Sequence, residues 1–252
     1  METCTLRKHI DIIFVPLFFI ACWIFFFHLY PYHLYYKEQI TLCILQPDFL
    51  QTYFQKPAFL SEICGDYLTQ FFLWTGGGST ILTLTFLLTW LGIRTALIRT
   101  GIIHHASLWA LLPIIAEWGE ACHLEYPLSM SLGLLFSVWI FTLITFCTSI
   151  RTRNVLHTIL FFILYCAVGA HFFAYVLIAI VYEYKHSNRS LSPVLLLSIS
   201  ILIPIGGSYF YYLTLKQAYF YPLISNYMLR QPFVFLLTEL FLLLSFLPIF
   251  VP

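Results

Sequence analysis

Residues 30–78 read YPYHLYYKEQITLCILQPDFLQTYFQKPAFLSEICGDYLTQFFLWTGGG. This segment is the longest part of the chain that a lipid bilayer cannot simply accommodate, because it mixes acids, lysines and amides with apolar residues. The chain around it consists of apolar runs joined by short turns. We therefore expect this segment to lie outside the hydrocarbon and to hold most of the groups that carry chemistry or recognition.

The overall composition is that of an integral membrane protein. Hydrophobic residues make up 61% of the 252 residues, charged residues make up only 9%, and the mean hydropathy is +0.88. A soluble domain carries about 25% charged residues, so this chain could not cover its own surface with polar groups. The formal net charge of +1 also argues against nucleic-acid binding, which needs a concentrated cationic face.

The apolar runs predict an all-α integral membrane protein with about eight transmembrane helices. Runs of roughly 20 apolar residues are needed to cross about 30 Å of hydrocarbon. The first run follows Arg7 and Lys8 and resembles an uncleaved signal anchor. Residues 1–252 would then form a single transmembrane domain with an outer loop at 31–78. The predicted spans are 12–30, 79–98, 102–118, 128–150, two within 155–184, 193–213 and 232–251.

The run 155–184 admits two interpretations. It is long for one span, and Gly169-Ala170-His171 interrupts its middle, so it forms either one tilted helix or a hairpin of two short helices. Cytoplasmic loops are enriched in lysine and arginine. The hairpin puts eight cations inside and four outside, and is favoured, with both termini cytoplasmic. The inside cations are Arg7, Lys8, Arg94, Arg99, Arg151, Arg153, Lys185 and Arg189; those outside are Lys37, Lys56, Lys216 and Arg230.

Residues 58–73, AFLSEICGDYLTQFFL, predict an amphipathic helix within the outer loop. Apolar residues recur at helical spacing from Phe59 to Phe72, and small and polar residues fill the opposite face. We expect the helix to lie in the membrane plane, with its polar face turned towards water or a cavity. Glu62 and Asp66 are one turn apart on that face, so they can share a cation or act together. A merely solvated face is the simpler alternative.

A second in-plane helix is predicted at residues 35–45, just beyond the first span. It would hold Glu38 at a fixed depth, at the boundary between membrane and water. Lys56-Pro57 marks the turn between the two in-plane helices, since proline disfavours helix at the residue before it. A cation at the depth of Lys56 suits a lipid phosphate; the alternative is an ordinary interfacial lysine.

Other polar groups fall near the same side of the predicted membrane. Glu117, Glu120 and His123 do not have the spacing of a standard zinc site, so no metal ligands are predicted, and a divalent metal is left open. Glu239 is the one acid well inside a span, and such a carboxylate marks a functional position by default. Arg230, in the segment before it, could hold a lipid phosphate.

The order of these features resembles the first outer loop of membrane glycosyltransferases of the C-type fold, which use polyprenyl-phosphate sugars. The shared order is a signal anchor, an acid just outside it, two in-plane helices with Lys56-Pro57 between them, and a span. Their paired short helices also resemble the hairpin around His171. The resemblance implies that Glu38 is the catalytic base. Taken with the helical spacing and charges above, the candidate substrate-binding residues are Gln39, Lys56, Glu62, Asp66, His171 and Arg230.

In amino-acid sequence, as opposed to the order of its features, the chain is more similar to an uncharacterised family of bacterial polytopic inner-membrane proteins. The similar stretches are YPYHLYYKEQ, KPAFLSEICGDYLTQFF, the Gly-Gly-Gly run and LPIIAEWGEACHLEYPLS. Members of that family carry a soluble tail after the membrane part. The resemblance therefore implies a bacterial inner-membrane protein, and this chain would be the membrane half of a longer one.

Together these features predict a glycosyltransferase-like membrane protein that uses a polyprenyl-phosphate-linked sugar at the outer face of the inner membrane. No cofactor is predicted. The expected partners are membrane lipids, the polyprenyl-phosphate sugar and a protein partner in the membrane, with no nucleic acid. Two alternatives stay open: a non-catalytic membrane subunit or scaffold, and a transporter for a lipid or small solute.

Overall fold

The computed structural model describes residues 2–41, 43–44, 46–147, 149–186, 191–221 and 233–249. Within these ranges every regular element is a helix, as the hydropathy pattern predicts. Short 3-10 or π-helical turns cover Phe25–Leu29, Gln70–Leu73, Gly169–His171 and Leu247–Ile249. The α-helices are α1 (Glu2–Ile24), α2 (Pro31–Ile40), α3 (Pro47–Phe54), α4 (Phe59–Thr69), α5 (Gly77–Arg99), α6 (Ala106–Trp109), α7 (Leu111–Ala121), α8 (Leu128–Ile144), α9 (Ile150–Val168), α10 (Phe172–His186), α11 (Leu191–Phe210), α12 (Leu215–Phe220) and α13 (Phe233–Ser245).

Long apolar helices compatible with a membrane protein run through the fold. Among the described residues, three helical segments have the length and hydropathy to cross a bilayer: Gly77–Arg99, Ile150–His186 and Pro193–Phe210. A fourth results if Ile13–Leu29 and Pro31–Ile40, which meet at 74°, count as one broken span. Helix α7 has only 11 residues, which at 1.5 Å per residue is about 16 Å. The prediction of eight crossings therefore stays a prediction.

The segment 150–186 is long enough to be one helix, but its contacts show that it folds back as a hairpin. Arg153 forms a two-bond ion pair with Glu183, 30 residues further along the chain. His157 shares a hydrogen bond of 2.6 Å with the hydroxyl of Tyr175. One continuous helix would separate Arg153 from Glu183 by about 45 Å. The predicted hairpin is thus confirmed as a fold, with α9 and α10 as its two arms.

Gly169 makes the turn at the hairpin tip. Its φ of +65° is one that other residues rarely adopt, and a Cβ there would lie 2.5 Å from the carbonyl oxygen of Tyr221 and 2.9 Å from the Cβ of Ala58. The next residue, Ala170, donates a backbone hydrogen bond of 2.7 Å to the same carbonyl of Tyr221. The tip is therefore hydrogen-bonded to the residue that follows α12, and it lies against Ala58, which precedes α4.

The loop between α1 and α5 contains three helices, where the sequence predicted two. Proline at the first turn starts α2 and α3, because its fixed φ suits that position and its missing N–H costs no helical bond. Helix α3 was not predicted. The predicted helix at 58–73 is confirmed as α4 with the 3-10 turn that follows, whereas the segment predicted at 35–45 begins earlier and ends at Ile40.

Helix α4 turns its polar face inwards, as predicted for a face that looks towards a cavity. Ser61 and Thr69 are buried, whereas Tyr67 is 46% exposed. Gly65 lies on the buried face, and a Cβ there would be 2.7 Å from the backbone nitrogen of Ser129 in α8. The small residues of α4 therefore allow a close approach to α8, and the apolar side faces outwards.

Helix α8 forms the centre of the fold, packed by α4, α5, α9 and α10. Met130, Leu134, Val138 and Phe141 are fully buried along it. The surface of the molecule is apolar by contrast: on α9, Val155, Ile159 and Phe162 are each more than half exposed. Such a stripe needs a lipid or protein cover, which agrees with the composition.

Candidate functional site

Lys56 and Glu62 form an ion pair at the end of the bundle that carries the first long loop and the hairpin tip, called here the loop end. The Lys56 Nζ lies 3.1 Å from the Glu62 Oε2. The ammonium also lies 5.7 and 5.8 Å from the ring centres of Tyr53 and Tyr221, within the range of cation–π attraction. Burial raises the pKa of the Glu62 carboxyl, and Lys56 opposes that rise. The positive charge of Lys56 is therefore largely compensated within the protein.

Asp66 lies one helical turn further along α4 and is half-buried. The hydroxyl of Tyr53 donates a hydrogen bond of 2.6 Å to its Oδ2. Burial raises the pKa of this carboxyl, while the bond from Tyr53 and the charge of Lys56 act in the opposite direction. Glu62 and Asp66 thus share one tyrosine–lysine environment, as the helical spacing predicted.

Lys37 of α2 is a buried cation at the loop end, with only 6% of its surface exposed. Its Nζ donates a hydrogen bond of 2.8 Å to the carbonyl oxygen of Ala121 at the end of α7. Among the residues that the structure describes, no carboxylate forms an ion pair with it. Burial lowers the pKa of Lys37 to about 8, because desolvation disfavours the charged amine.

Lys37 and Asp66 line the same cavity, called here the polar cleft. It has a volume of about 50 Å³ and lies between α2, α4 and the connection from α7 to α8. Ser131 and Tyr126 also line it, and Phe72 forms part of its wall. The cleft thus combines one cation with two carboxylates, Asp66 and Glu125, and with several hydroxyl groups. Phe72 also lines a second, aromatic groove of about 260 Å³ with Phe26.

Behind the polar cleft lies a fully buried carboxylate, Glu117 of α7, with 1% exposure. The hydroxyl of Ser131 donates a hydrogen bond of 2.6 Å to its Oε2, and the hydroxyl of Tyr126 lies 3.1 Å from both carboxylate oxygens. Glu117 therefore reaches the cleft through two hydroxyl groups without lining it.

The hairpin tip brings His171 into the bundle and next to Glu239 of α13. The His171 Nδ1 lies 3.6 Å from the Glu239 Oε1, and both side chains are buried. Ser137 of α8 donates a hydrogen bond of 2.8 Å to the carbonyl of His171 and holds the tip in place. His171 also lies against Gly133 of α8, two residues after Ser131, which donates the hydrogen bond to Glu117. The acid that the sequence places inside a predicted span therefore has a histidine neighbour.

The predicted site residues separate into groups. Lys56, Glu62 and Asp66 come together, whereas His171 lies deeper, against Glu239. Glu38 is half-buried and Gln39 is exposed on α2, and neither side chain has a hydrogen bond or ion pair with another residue of the described ranges. Arg230 lies outside the described residues. Within those residues, no group of three histidine, cysteine or acidic side chains could hold a metal ion.

Sequence reasoning missed Lys37, Tyr126 and Ser131. Lys37 adjoins Glu38, but the two side chains point in directions about 100° apart on a helix. A signal was present: Lys37 is three residues after Leu34, so both lie on the face of α2 that packs inwards. The carbonyl that receives Lys37 belongs to a residue 84 positions away, which no local pattern reveals.

These observations define an all-helical protein with long apolar helices and a polar cleft at one end. The chain belongs to a family of unknown function, DUF6057, whose model matches residues 8–252. This confirms the resemblance to an uncharacterised family. No curated protein and no solved structure shows significant similarity to the chain.

Proposed function

We propose that this protein is a membrane-embedded transferase that uses a polyprenyl-phosphate-linked sugar at the outer face of the bacterial inner membrane. One observation carries the proposal: the polar cleft is lined both by the Lys37 ammonium, which forms no ion pair with a carboxylate of the described residues, and by the Asp66 carboxylate. A buried ammonium of this kind is suited to a phosphate group. The aromatic groove across Phe72 gives an isoprenoid chain an adjacent apolar surface.

In the proposed reaction an acceptor hydroxyl attacks the anomeric carbon of the sugar. Its proton passes to a carboxylate, its oxygen forms the new glycosidic bond, and the bond from the anomeric carbon to the phosphate oxygen breaks. The electron pair of that bond stays on the polyprenyl phosphate. The carboxylate acts as the general base, and the Lys37 ammonium stabilises the charge that develops on the phosphate.

Two carboxylates are candidates for the general base. Glu38 is the base that the resemblance implies, and its half-exposed position on α2 leaves it open to a large acceptor. Asp66 lines the cleft itself and is oriented by Tyr53. In this reaction Asp66 accepts the proton of the acceptor hydroxyl. Glu38 positions the acceptor, with Gln39 beside it.

The proposal includes eight crossings with both termini in the cytoplasm. The hairpin supports it, because its arms return the chain to the side from which it came. The contacts also group cations at the end opposite the tip: the Lys185 Nζ lies beside Gly101, and Arg99 stacks on Phe146. The positive-inside rule assigns that end to the cytoplasm and the loop end to the outer face.

The transfer reaction can be tested with the purified protein in lipid nanodiscs and a panel of polyprenyl-phosphate sugars. The measurement is the release of polyprenyl phosphate on addition of bacterial acceptor glycans. We expect Asp66→Asn to abolish release, Glu38→Gln to raise the KM for the acceptor, and Asp48→Asn, an exposed acid of α3, to behave as wild type. Release by Asp66→Asn at the wild-type rate contradicts the role of Asp66, and no release by the folded wild-type protein with any donor contradicts the function.

A further inference from the structure

A second polar cluster lies inside the bundle, beyond the groups that the proposed reaction uses. It contains Glu117 of α7, His171 of the hairpin tip and Glu239 of α13, each with at most 6% of its surface exposed. Helices α7 and α13 pack against each other, so the two carboxylates approach His171 from different elements. Neither the Oε1 nor the Oε2 of Glu239 has a hydrogen-bond partner among the described residues.

The net charge of this cluster determines which kind of ligand it can bind. Removing a carboxylate from water costs several kcal/mol unless a cation or a proton compensates it. Within the described part of the chain, no lysine or arginine forms an ion pair with Glu117 or Glu239. The cluster has two carboxylates and one histidine, so at least one of the buried carboxylates has to take up a proton for the cluster to be neutral.

We propose that Glu117, His171 and Glu239 form a buried proton-binding site that exchanges protons with the polar cleft through the hydroxyl groups of Ser131 and Tyr126. The ligand is the proton itself. An intramembrane carboxylate paired with histidine is the arrangement that such a site requires.

The hydrogen bonds define the entry step. A proton from the cleft binds a lone pair of the Ser131 Oγ, and the hydroxyl proton of Ser131 passes along its bond of 2.6 Å to the Glu117 Oε2. Glu117 becomes a carboxylic acid, and Ser131 is left as a neutral hydroxyl. The Tyr126 hydroxyl, 3.1 Å from both oxygens of Glu117, can carry out the same exchange.

Two further charged groups lie near the site, one on α7 and one on α2. Glu120 of α7 is buried one turn from Glu117, and the two carboxylates repel each other when both are ionised. Lys37 of α2 approaches the end of α7 at the Ala121 carbonyl. A positive charge at Lys37 therefore favours the ionised form of the cluster, and the additional acid at Glu120 favours protonation.

The site uses the same cleft as the proposed transferase, but it does not depend on the transfer reaction. Infrared spectroscopy of the protein in nanodiscs without substrate is therefore the test, because protonated carboxyl groups give a separate C=O band that moves in D₂O. Glu117→Gln and Glu239→Gln identify the bands of the two acids. Glu125→Gln is the matched control, since Glu125 is an exposed acid at the mouth of the cleft.

We expect the band of at least one of the two acids to appear on acidification and to exchange with D₂O in the wild-type protein. In the double variant Ser131→Ala, Tyr126→Phe the carboxyl band should not shift in D₂O within the time that the wild-type band needs to shift. Ser137→Ala, which removes a hydroxyl next to His171 but outside the path, should keep it. The proposal is overturned if neither Glu117→Gln nor Glu239→Gln removes a titrating band, or if the double variant exchanges at the wild-type rate.

Discussion

The Lys37 ammonium donates a hydrogen bond of 2.8 Å to the carbonyl oxygen of Ala121, 84 residues further along the chain. This bond joins the helix after the first apolar run to the end of α7, and it closes one side of the polar cleft. An ammonium has three donors, and one is satisfied by the carbonyl. The other two give the cleft its capacity for an anionic group.

The stability of the protein should rise when Lys37 is replaced by methionine. Methionine keeps the unbranched apolar stem and removes the desolvation cost of a buried ammonium. Replacing buried charges by apolar groups of similar volume is neutral or stabilising by about 1–4 kcal/mol, and we expect a gain of about 1 kcal/mol because the Ala121 carbonyl loses its partner. Thermal unfolding in detergent measures the change. The matched control is Lys216→Met at an exposed lysine of α12, and a Tm for Lys37→Met below that of this control would contradict the expectation.

The stability of the wild-type protein should depend on pH in the alkaline range through Lys37. Burial lowers the pKa of this amine from 10.5 to about 8 in the folded protein. Between those values the unfolded chain binds a proton that the folded protein does not, so stability rises as the pH rises. The Tm of the wild type should therefore approach that of Lys37→Met as the pH increases from about 8 to 10.5. Parallel Tm curves for the two proteins over this range would show that the amine is not desolvated.

The contact between α4 and α8 should tolerate no side chain at Gly65. A Cβ there meets the backbone of Ser129 at 2.7–2.8 Å, whereas a Cβ at Gly119 of α7 meets nothing within 4 Å. Overpacking of this kind costs about 1–3 kcal/mol, so Gly65→Ala should lower the Tm. Gly119→Ala should raise it slightly, since alanine favours a helix over glycine by roughly 0.5–1 kcal/mol. Equal Tm changes for the two variants would mean that α4 does not sit this close to α8.

The ion pair of Arg153 and Glu183 should hold the hairpin together at its open end. Both side chains are buried, and Arg153 also packs on the ring of Tyr182. Removing one partner of a buried pair costs about 3–5 kcal/mol, because the other charge is left uncompensated. Glu183→Gln should therefore lower the Tm strongly, and Arg153→Met combined with Glu183→Met should recover most of the loss. The control is Arg151→Met at an exposed position; a double variant no better than Glu183→Gln would argue against the pairing.

The fold was predictable where the local sequence pattern and the distribution of lysine and arginine between the loops indicate the same structure. Gly169 interrupts a long apolar run, and the hairpin that it indicates is present. The inward polar face of α4 follows from the spacing of Ser61, Gly65 and Thr69. Helix α3 was missed although Pro47 begins it and Asp48 follows in its first turn, because it is short and lies in a segment without clear periodicity.

The site was predictable only in part. Glu62 and Asp66 share a helix face, so one period of the helix places them together. Lys37 becomes part of the cleft through Ala121, and Glu239 meets His171 through the packing of α13 against the hairpin tip. Contacts between residues so far apart depend on how the helices pack, and no pattern within either helix records them.

Binding of polyprenyl phosphate to the polar cleft is the central claim, and its dissociation constant tests that claim most directly. The measurement is a titration of undecaprenyl phosphate against purified protein in nanodiscs, followed by tryptophan fluorescence, for the wild type, Lys37→Met and Lys216→Met. We predict saturable binding by the wild type and Lys216→Met, and a loss of at least about tenfold in affinity for Lys37→Met, equivalent to roughly 1.4 kcal/mol. Binding by Lys37→Met with the wild-type constant, or no binding by the folded wild-type protein, would contradict the account.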